Sequence, residues 1–344
     1  MKKLISLALA LMLVLSLSTV AFAADNQDAS FTKTYKITNS GTSNPEETFT
    51  FTYEAYQITD SNANLAVKDM PAIPASTTTF SAGTATTDGL AQTVNVALSG
   101  ITWPGVGVYY YEVTETAGTT AGVDYDDTTA YLKVTVAYDE GTNTYYTAFA
   151  TLNLEDANND GKTDSKIAGF TNEYTAGNLS VKKTVSGNMG DQSAYFDVTI
   201  TLTGETGKTY ADSYTVSTSS HKDNPTTIKI GTATTFKLKH DETITIANLP
   251  YGVTYTVAEA DYTSTEKGGY DAAQYSLNGA EATNTSVSAE KLDAASETVE
   301  ITNNKGTTVD TGITMDSMPY VLLLAVAAVG LVVMFTKKRM MREF

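Results

Sequence analysis

The chain has 344 residues, which leaves room for two domains of ordinary size. Its 22 Lys and Arg residues against 39 Asp and Glu residues give a net charge of −17, which argues against nucleic acid as a partner. The sequence contains no cysteine, so the protein must be stabilised without disulfides. Frequent Thr, Val, Tyr and Gly with few helical patterns indicate an all-β protein.

The chain begins with the features of a secretory signal peptide, which we predict over residues 1–23. Two lysines precede an apolar run, and Ala21 and Ala23 supply the small residues of a signal-peptidase site. The mature chain is therefore expected to begin at Ala24. An uncleaved N-terminal membrane anchor is the alternative.

Two stretches of strand-like sequence come next, one over residues 24–173 and one over residues 178–305. Each contains runs of alternating apolar and polar residues, such as Phe49 to Tyr53 and Phe196 to Leu202, separated by turns rich in Gly, Asn, Asp and Thr. Strands at this spacing without intervening helices are typical of sandwiches. We predict two tandem β-sandwich domains.

The two stretches repeat the same order of polar residues. Each has a lysine in its first strand, a Y-x-V-x-E motif in a later strand and an asparagine in its last strand. Strand alternation places both lysines among apolar residues, whereas the neighbouring Lys36 and Lys182 fall on the opposite face. An unpaired charge in a core costs several kcal/mol, so each buried lysine needs a partner. The repeated residues are Lys33, Glu115 and Asn172 in the first half, and Lys183, Glu259 and Asn303 in the second.

A lysine, a glutamate and an asparagine held together in an apolar interior can react with one another. Burial lowers the pKa of the lysine and raises the pKa of the glutamate. A neutral amine is a nucleophile, and a protonated carboxyl group can polarise an amide carbonyl. The amine can then attack the asparagine side chain and expel ammonia, which leaves a Lys–Asn isopeptide bond. In the alternative interpretation each lysine reaches the edge of the sheet and only pairs with its glutamate.

Residues 306–344 have the composition of a cell-wall sorting signal. Thr311-Gly312 is followed by an apolar run over 318–335 and then by a basic cluster, an order that a sortase substrate requires. Sortase would cleave between Thr311 and Gly312. The preceding residues depart from the usual L-P-x-T-G pattern, because a threonine and a valine replace the leucine and the proline. A plain C-terminal membrane anchor is the alternative.

Together these features resemble the backbone (major) pilins of Gram-positive bacteria. The likeness is closest to the two-domain streptococcal type, with isopeptide-containing, collagen-adhesin B-like domains of immunoglobulin-like fold. It covers nearly the whole chain, and the two Y-x-V-x-E stretches are similar to the pilin E-box. The sequence departs from the family in its sorting pentapeptide and in lacking a W-x-x-x-V-x-V-Y-P-K motif. The resemblance implies the cross-links Lys33–Asn172 and Lys183–Asn303, promoted by Glu115 and Glu259.

The resemblance also implies partners and a location. The protein would be secreted, held briefly as a membrane-anchored precursor, and joined head to tail to identical subunits by a pilus sortase, with a housekeeping sortase anchoring the fibre in the cell wall. Accessory pilins and host receptors are further possible partners. Lys166 is the candidate acceptor for the next subunit, with Lys162 as the alternative, although either could be an ordinary surface lysine.

We expect no enzyme with turnover, no cofactor and no metal. His221 and His240 lie in polar segments without a partner histidine or cysteine. The alternative function is a monomeric wall-anchored adhesin or accessory pilin that binds a host ligand or glycan.

Overall fold

The computed structural model describes residues 28–61, 64–154, 165–166, 169–217, 220–307 and 318–340. The predicted signal peptide, Lys162, Thr311 and Gly312 lie outside these ranges. Apart from α1 at Met318–Met340 and two short 3-10 turns, the regular structure of the described residues consists of β-strands. The prediction of an all-β protein with two domains is confirmed.

Two sheets face each other across the core of the first half. One sheet has four strands in the order β4-β1-β10-β6, and the other has six in the order β3-β2-β5-β7-β8-β9. Aromatic rings join them, since Phe31 of the smaller sheet contacts Phe51 of the larger at 4.8 Å between ring centroids. The strands are β1 (Ala29–Ile37), β2 (Glu47–Thr59), β3 (Ser76–Phe80), β4 (Leu90–Val96), β5 (Gly107–Thr116), β6 (Val123–Asp124), β7 (Ala130–Asp139), β8 (Thr144–Leu154), β9 (Ser165–Lys166) and β10 (Gly169–Tyr174).

The second half repeats this design with a separate core. Its main sheets have the orders β16-β11-β20-β18 and β15-β12-β17-β19, and β13 pairs with β14. Valine, leucine and isoleucine side chains from both main sheets fill the space between them. The strands are β11 (Ala176–Ser186), β12 (Phe196–Thr203), β13 (Tyr214–Thr215), β14 (Thr227–Ile228), β15 (Thr234–Leu238), β16 (Thr243–Pro250), β17 (Thr254–Glu259), β18 (Gln274–Leu277), β19 (Val287–Lys291) and β20 (Ser296–Asn304).

In each half the first and last strands pair in parallel at the centre of one sheet. In the first half Lys33 lies opposite Phe170, so Asn172 is two residues further along the neighbouring strand. In the second half Lys183 lies opposite Ile301, and Asn303 stands in the same relation to it. Because side chains alternate along a strand, lysine and asparagine point to the same face as diagonal neighbours. The duplicated register therefore brings both pairs into the two cores.

A glycine makes this close pairing possible in the first half. Gly169 begins β10 with a φ of 150°, and an added Cβ there would lie 1.6 Å from the carbonyl oxygen of Thr32 on β1. A residue with a side chain could not occupy this position without moving β10 away from β1. The absence of a side chain at Gly169 therefore permits the close approach of the strands that carry Lys33 and Asn172.

The two halves are joined by a single residue outside regular structure. Strand β10 ends at Tyr174 and β11 begins at Ala176, so Thr175 alone connects the last strand of the first half to the first strand of the second. The carbonyl oxygen of Thr175 accepts a hydrogen bond from the backbone N–H of Tyr251 at 3.1 Å, and the side chain of Asn39 donates to the Tyr251 hydroxyl at 2.9 Å. Through Tyr251, these bonds connect the second half to Thr175 and to Asn39 of the first half.

The C-terminal helix α1 coincides with the apolar run of the predicted sorting signal. In the part of the chain that the structure describes, no helix combines the length and the apolar character needed to cross a membrane.

Candidate functional site

The first centre consists of three buried side chains from two facing sheets. Lys33 on β1 and Asn172 on β10 belong to the smaller sheet, and Glu115 lies near the end of β5 in the larger one. The side chains of Lys33 and Glu115 are fully shielded from solvent, as is Asn172. The structure thus brings together the three residues that the sequence predicted for this half.

Their polar atoms form a closed triangle. The Lys33 Nζ lies 2.5 Å from Glu115 Oε2 and 2.5 Å from Asn172 Oδ1. The Asn172 Nδ2 donates a hydrogen bond to the other carboxylate oxygen, Glu115 Oε1. Glu115 therefore contacts both the nitrogen that would attack and the nitrogen that would leave. This arrangement suits a group that carries protons from one nitrogen to the other.

The second centre contains the predicted counterparts in a looser arrangement. Lys183 Nζ lies 3.0 Å from Glu259 Oε1, and the side chains of both residues are buried. Asn303 is also buried, and its side chain lies close enough to Glu259 to oppose, in part, the rise that burial causes in the pKa of that carboxyl group. However, among the described residues neither Glu259 carboxylate oxygen nor Asn303 Oδ1 has a partner in hydrogen-bond geometry. The three side chains of the second centre therefore lie close together but lack the hydrogen bonds that connect those of the first centre.

Burial acts on the ionisable groups of both centres in the direction needed for reaction. Removal from water lowers the pKa of Lys33, and hydrogen bonding and charge attraction from Glu115 oppose this effect. Burial also raises the pKa of Glu115, against the influence of Lys33. In the second centre burial likewise lowers the pKa of Lys183 and raises that of Glu259. Each pair is thereby biased towards a neutral amine and a protonated carboxyl group.

Each buried amine also lies near a phenylalanine ring of the facing sheet. Lys33 Nζ is 4.5 Å from the ring centroid of Phe49 on β2, and Lys183 Nζ is 4.4 Å from that of Phe196 on β12. An aromatic face at this distance stabilises an amine while it is still charged and keeps water from it. The sequence analysis assigned no role to these rings, although both occupy apolar positions in the second strand of a repeat.

The lysines rejected on sequence grounds do face outward. Lys36 pairs with Glu173 at 2.5 Å and Lys182 with Glu300 at 3.4 Å, and all four side chains are a third or more exposed. Lys166 is in the short strand β9, where it lies opposite Asn153 of β8.

One contributor to the first centre has no signal in the sequence. The backbone N–H of Asp126, in the loop after β6, donates a 2.9 Å hydrogen bond to Asn172 Oδ1. This bond comes from the main chain, so residue type does not reveal it.

The comparisons with known proteins cover both halves of the chain. A family model described as a Spy0128-like isopeptide containing domain matches residues 29–175, and one described as a domain of unknown function matches residues 177–305. A pilin of Streptococcus pyogenes serotype M1 is 30% identical over 328 residues, which cover 90% of this chain and 89% of that pilin.

Solved structures of major pilins have the same fold. A major pilin from Streptococcus pyogenes is 25% identical with a TM-score of 0.55, covering 82% of this chain and 100% of that one. A second major pilin from the same species is 26% identical with a TM-score of 0.53, covering 82% of this chain and 99% of the other.

Proposed function

The chain belongs to the family of the streptococcal major pilins, and from this premise we propose how its two centres and its C-terminal segment serve a pilus. It is a structural subunit of a cell-surface pilus in a Gram-positive bacterium rather than an enzyme with turnover. The family assignment favours this function over a monomeric adhesin. We infer two kinds of covalent bond, one inside the subunit and one between subunits.

We propose that Lys33 and Asn172 form an isopeptide bond without an external enzyme. A proton passes from the Lys33 ammonium to Glu115, and the neutral amine attacks Cγ of Asn172. The attacking nitrogen then loses a proton, the departing Nδ2 gains one, and the bond between Cγ and Nδ2 breaks. The products are an amide joining the two side chains and one molecule of ammonia. Glu115, ionised at the start, is left protonated when neutral ammonia departs, and it returns to its ionised form by releasing that proton, so it is not consumed.

The observation that carries this proposal is the triangle of contacts at the first centre. Glu115 contacts both nitrogens, and the amine lies 2.5 Å from the oxygen of the amide that it attacks. Reactive groups held in such proximity gain a rate advantage equivalent to about 10⁵ M or more of free reactant. Lys183, Glu259 and Asn303 would perform the same reaction in the second half.

The placement of the bonds gives them a mechanical role. Each bond would join the first strand of a domain to its last strand at the centre of a sheet, across the parallel pairs β1–β10 and β11–β20. Tension that enters the second domain at β20 would pass through the bond to β11 and bypass the intervening strands. A cysteine-free subunit would thus resist extension without disulfides.

Polymerisation would use the C-terminal segment and a lysine of the preceding subunit. Export through the leader over 1–23 would produce a membrane-held precursor, which sortase would cleave between Thr311 and Gly312. The threonine would then be transferred to Lys166, or to Lys162, of another copy. Accessory pilins would be attached to the finished fibre, and host receptors would bind to it.

Two measurements test these proposals separately. Tandem mass spectrometry of protease digests should find one branched peptide that joins the segments containing Lys33 and Asn172, and another for the second pair. Immunoblots of cell-wall extracts should show a ladder of polymers that collapses to a monomer in Lys166→Ala cells but persists in Lys162→Ala cells. A ladder lost only in Lys162→Ala cells would transfer the linkage role to Lys162.

A further inference from the structure

The loop after β6 contacts the first centre through both the main chain and the side chain of Asp126. Its backbone N–H donates to Asn172 Oδ1 at 2.9 Å. Its carboxylate accepts the backbone N–H of Thr171 at 2.6 Å and that of Thr128 at 3.0 Å. The pairing of β6 with β10 ends at Asp124, so the Asp126 side chain continues the edge contact beyond the last strand residue. The carboxylate therefore holds residue 126 where its own N–H meets the reacting amide.

The second domain has no equivalent contact among its described residues. Asn303 Oδ1 is buried there without a hydrogen-bond partner. Asp271, in the segment before β18, directs its backbone N–H to the carbonyl oxygen of Asn304 at 2.8 Å. Its carboxylate accepts from the Asn304 side chain at 2.6 Å. Asp271 thus contacts the residue after the reacting asparagine, and the amide oxygen of Asn303 receives no hydrogen bond from the described residues.

We propose that Asp126 is a positioning residue for the first isopeptide bond, whose backbone N–H stabilises the oxyanion formed on Asn172, and that this bond therefore forms before the second. The inference rests on the proposed function, because it concerns the rate of the same reaction.

The chemical step explains why this hydrogen bond matters. When the Lys33 amine attacks Cγ, the carbonyl electron pair moves onto Oδ1, which becomes negatively charged. The Asp126 N–H already points at this oxygen, so no group must reorganise as the charge develops. The carbonyl re-forms when Nδ2 leaves as ammonia with a proton delivered through Glu115. Loss of a single preorganised oxyanion donor slows enzymatic reactions by about 10²–10³-fold.

The experiment monitors both bonds in one chain as it is made. The full-length protein is produced by cell-free translation, samples are quenched in denaturant, and digestion reports the fraction of each branched peptide with time. In the wild type the bond at Asn172 should precede the bond at Asn303. Asp126→Ala should slow the first bond by roughly 10²-fold and leave the second unchanged. Asp126→Asn keeps an acceptor oxygen for the loop and should recover much of the rate.

Asp127→Ala is the matched control, since it removes the same charge from an exposed neighbouring position. Its rates should equal those of the wild type. To separate rate from folding, Asp126→Ala is also melted in the Glu115→Gln background, where no first bond forms, and rates are measured well below that melting temperature. Unchanged first-bond kinetics in Asp126→Ala, or equal slowing of both bonds, would overturn the inference. Absence of both bonds from the wild type would instead contradict the proposed function.

Discussion

Replacing Glu115 with alanine should prevent the first bond while leaving the rest of the domain in place. The carboxylate is the only group in the described first centre that contacts both the attacking and the departing nitrogen. Without it the Lys33 ammonium has no acceptor for its proton, and ammonia has no donor for its departure. Glu112 provides a matched control, because it lies on the same strand but points to the opposite face.

The expected loss of stability depends on the length of chain that the bond closes. Lys33 and Asn172 are 139 residues apart. The chain-entropy model assigns a cross-link of this span about 5 kcal/mol. For a domain of this size each kcal/mol changes the melting temperature by roughly 4 °C, so loss of the cross-link alone should lower the melting temperature by about 20 °C. The buried Lys33 ammonium, which Glu115→Ala leaves without its partner, should lower it further.

Differential scanning calorimetry of a chain that spans residues 24–311 measures this shift. The transition of the first domain should fall in Glu115→Ala and stay in place in Glu112→Ala, and the second domain serves as an internal reference. A Glu115→Ala transition within a few degrees of the wild type would refute the idea that a covalent cross-link stabilises the first domain.

Two further predictions concern the pH dependence of first-bond formation and the ion pair of the outward-facing Lys36. A plot of the rate of first-bond formation against pH should be bell-shaped. The reason is that the reaction requires the Lys33–Glu115 pair to carry no net charge. At low pH the pair gains a proton and the amine stays charged, whereas at high pH it loses one and nothing protonates the departing nitrogen. Burial lowers the pKa of the lysine and raises that of the glutamate, so either net-charged state is disfavoured and the plateau should include neutral pH. The rate can be measured at each pH by quench-flow mass spectrometry, and a rate that rises continuously with pH would contradict the prediction. Lys36→Ala removes a half-exposed ion pair with Glu173 and should change the free energy of unfolding by less than about 1 kcal/mol in urea titrations, without affecting either bond; a larger loss would mean that this pair contributes to the core.

The composition of both centres could be predicted because it depends on two local signals. Strand alternation places Lys33 and Lys183 among apolar residues, and the internal repeat identifies matching glutamates and asparagines. Both signals can be read from the sequence alone, because each depends only on residue type and spacing. The all-β fold could be predicted from the sequence for the same reason.

The geometry within each centre could not be predicted. The Asp126 N–H is a main-chain donor set by a loop conformation, and the ring of Phe49 approaches the amine from the opposite sheet. Both depend on how strands distant in sequence pack together. The same holds for the looser second centre, since the repeat implies equal composition but not equal hydrogen bonding at Asn303.

Covalent cross-linking of both domains is tested most directly by the intact mass of a chain that spans residues 24–311. The wild type should be lighter than its sequence by two molecules of ammonia, one for each bond. Glu115→Ala and Glu259→Ala should each be lighter than their own sequences by one, and the double variant by none. A wild-type mass equal to that of the plain sequence would contradict the proposed cross-links, and the buried lysines would then be paired but not bonded.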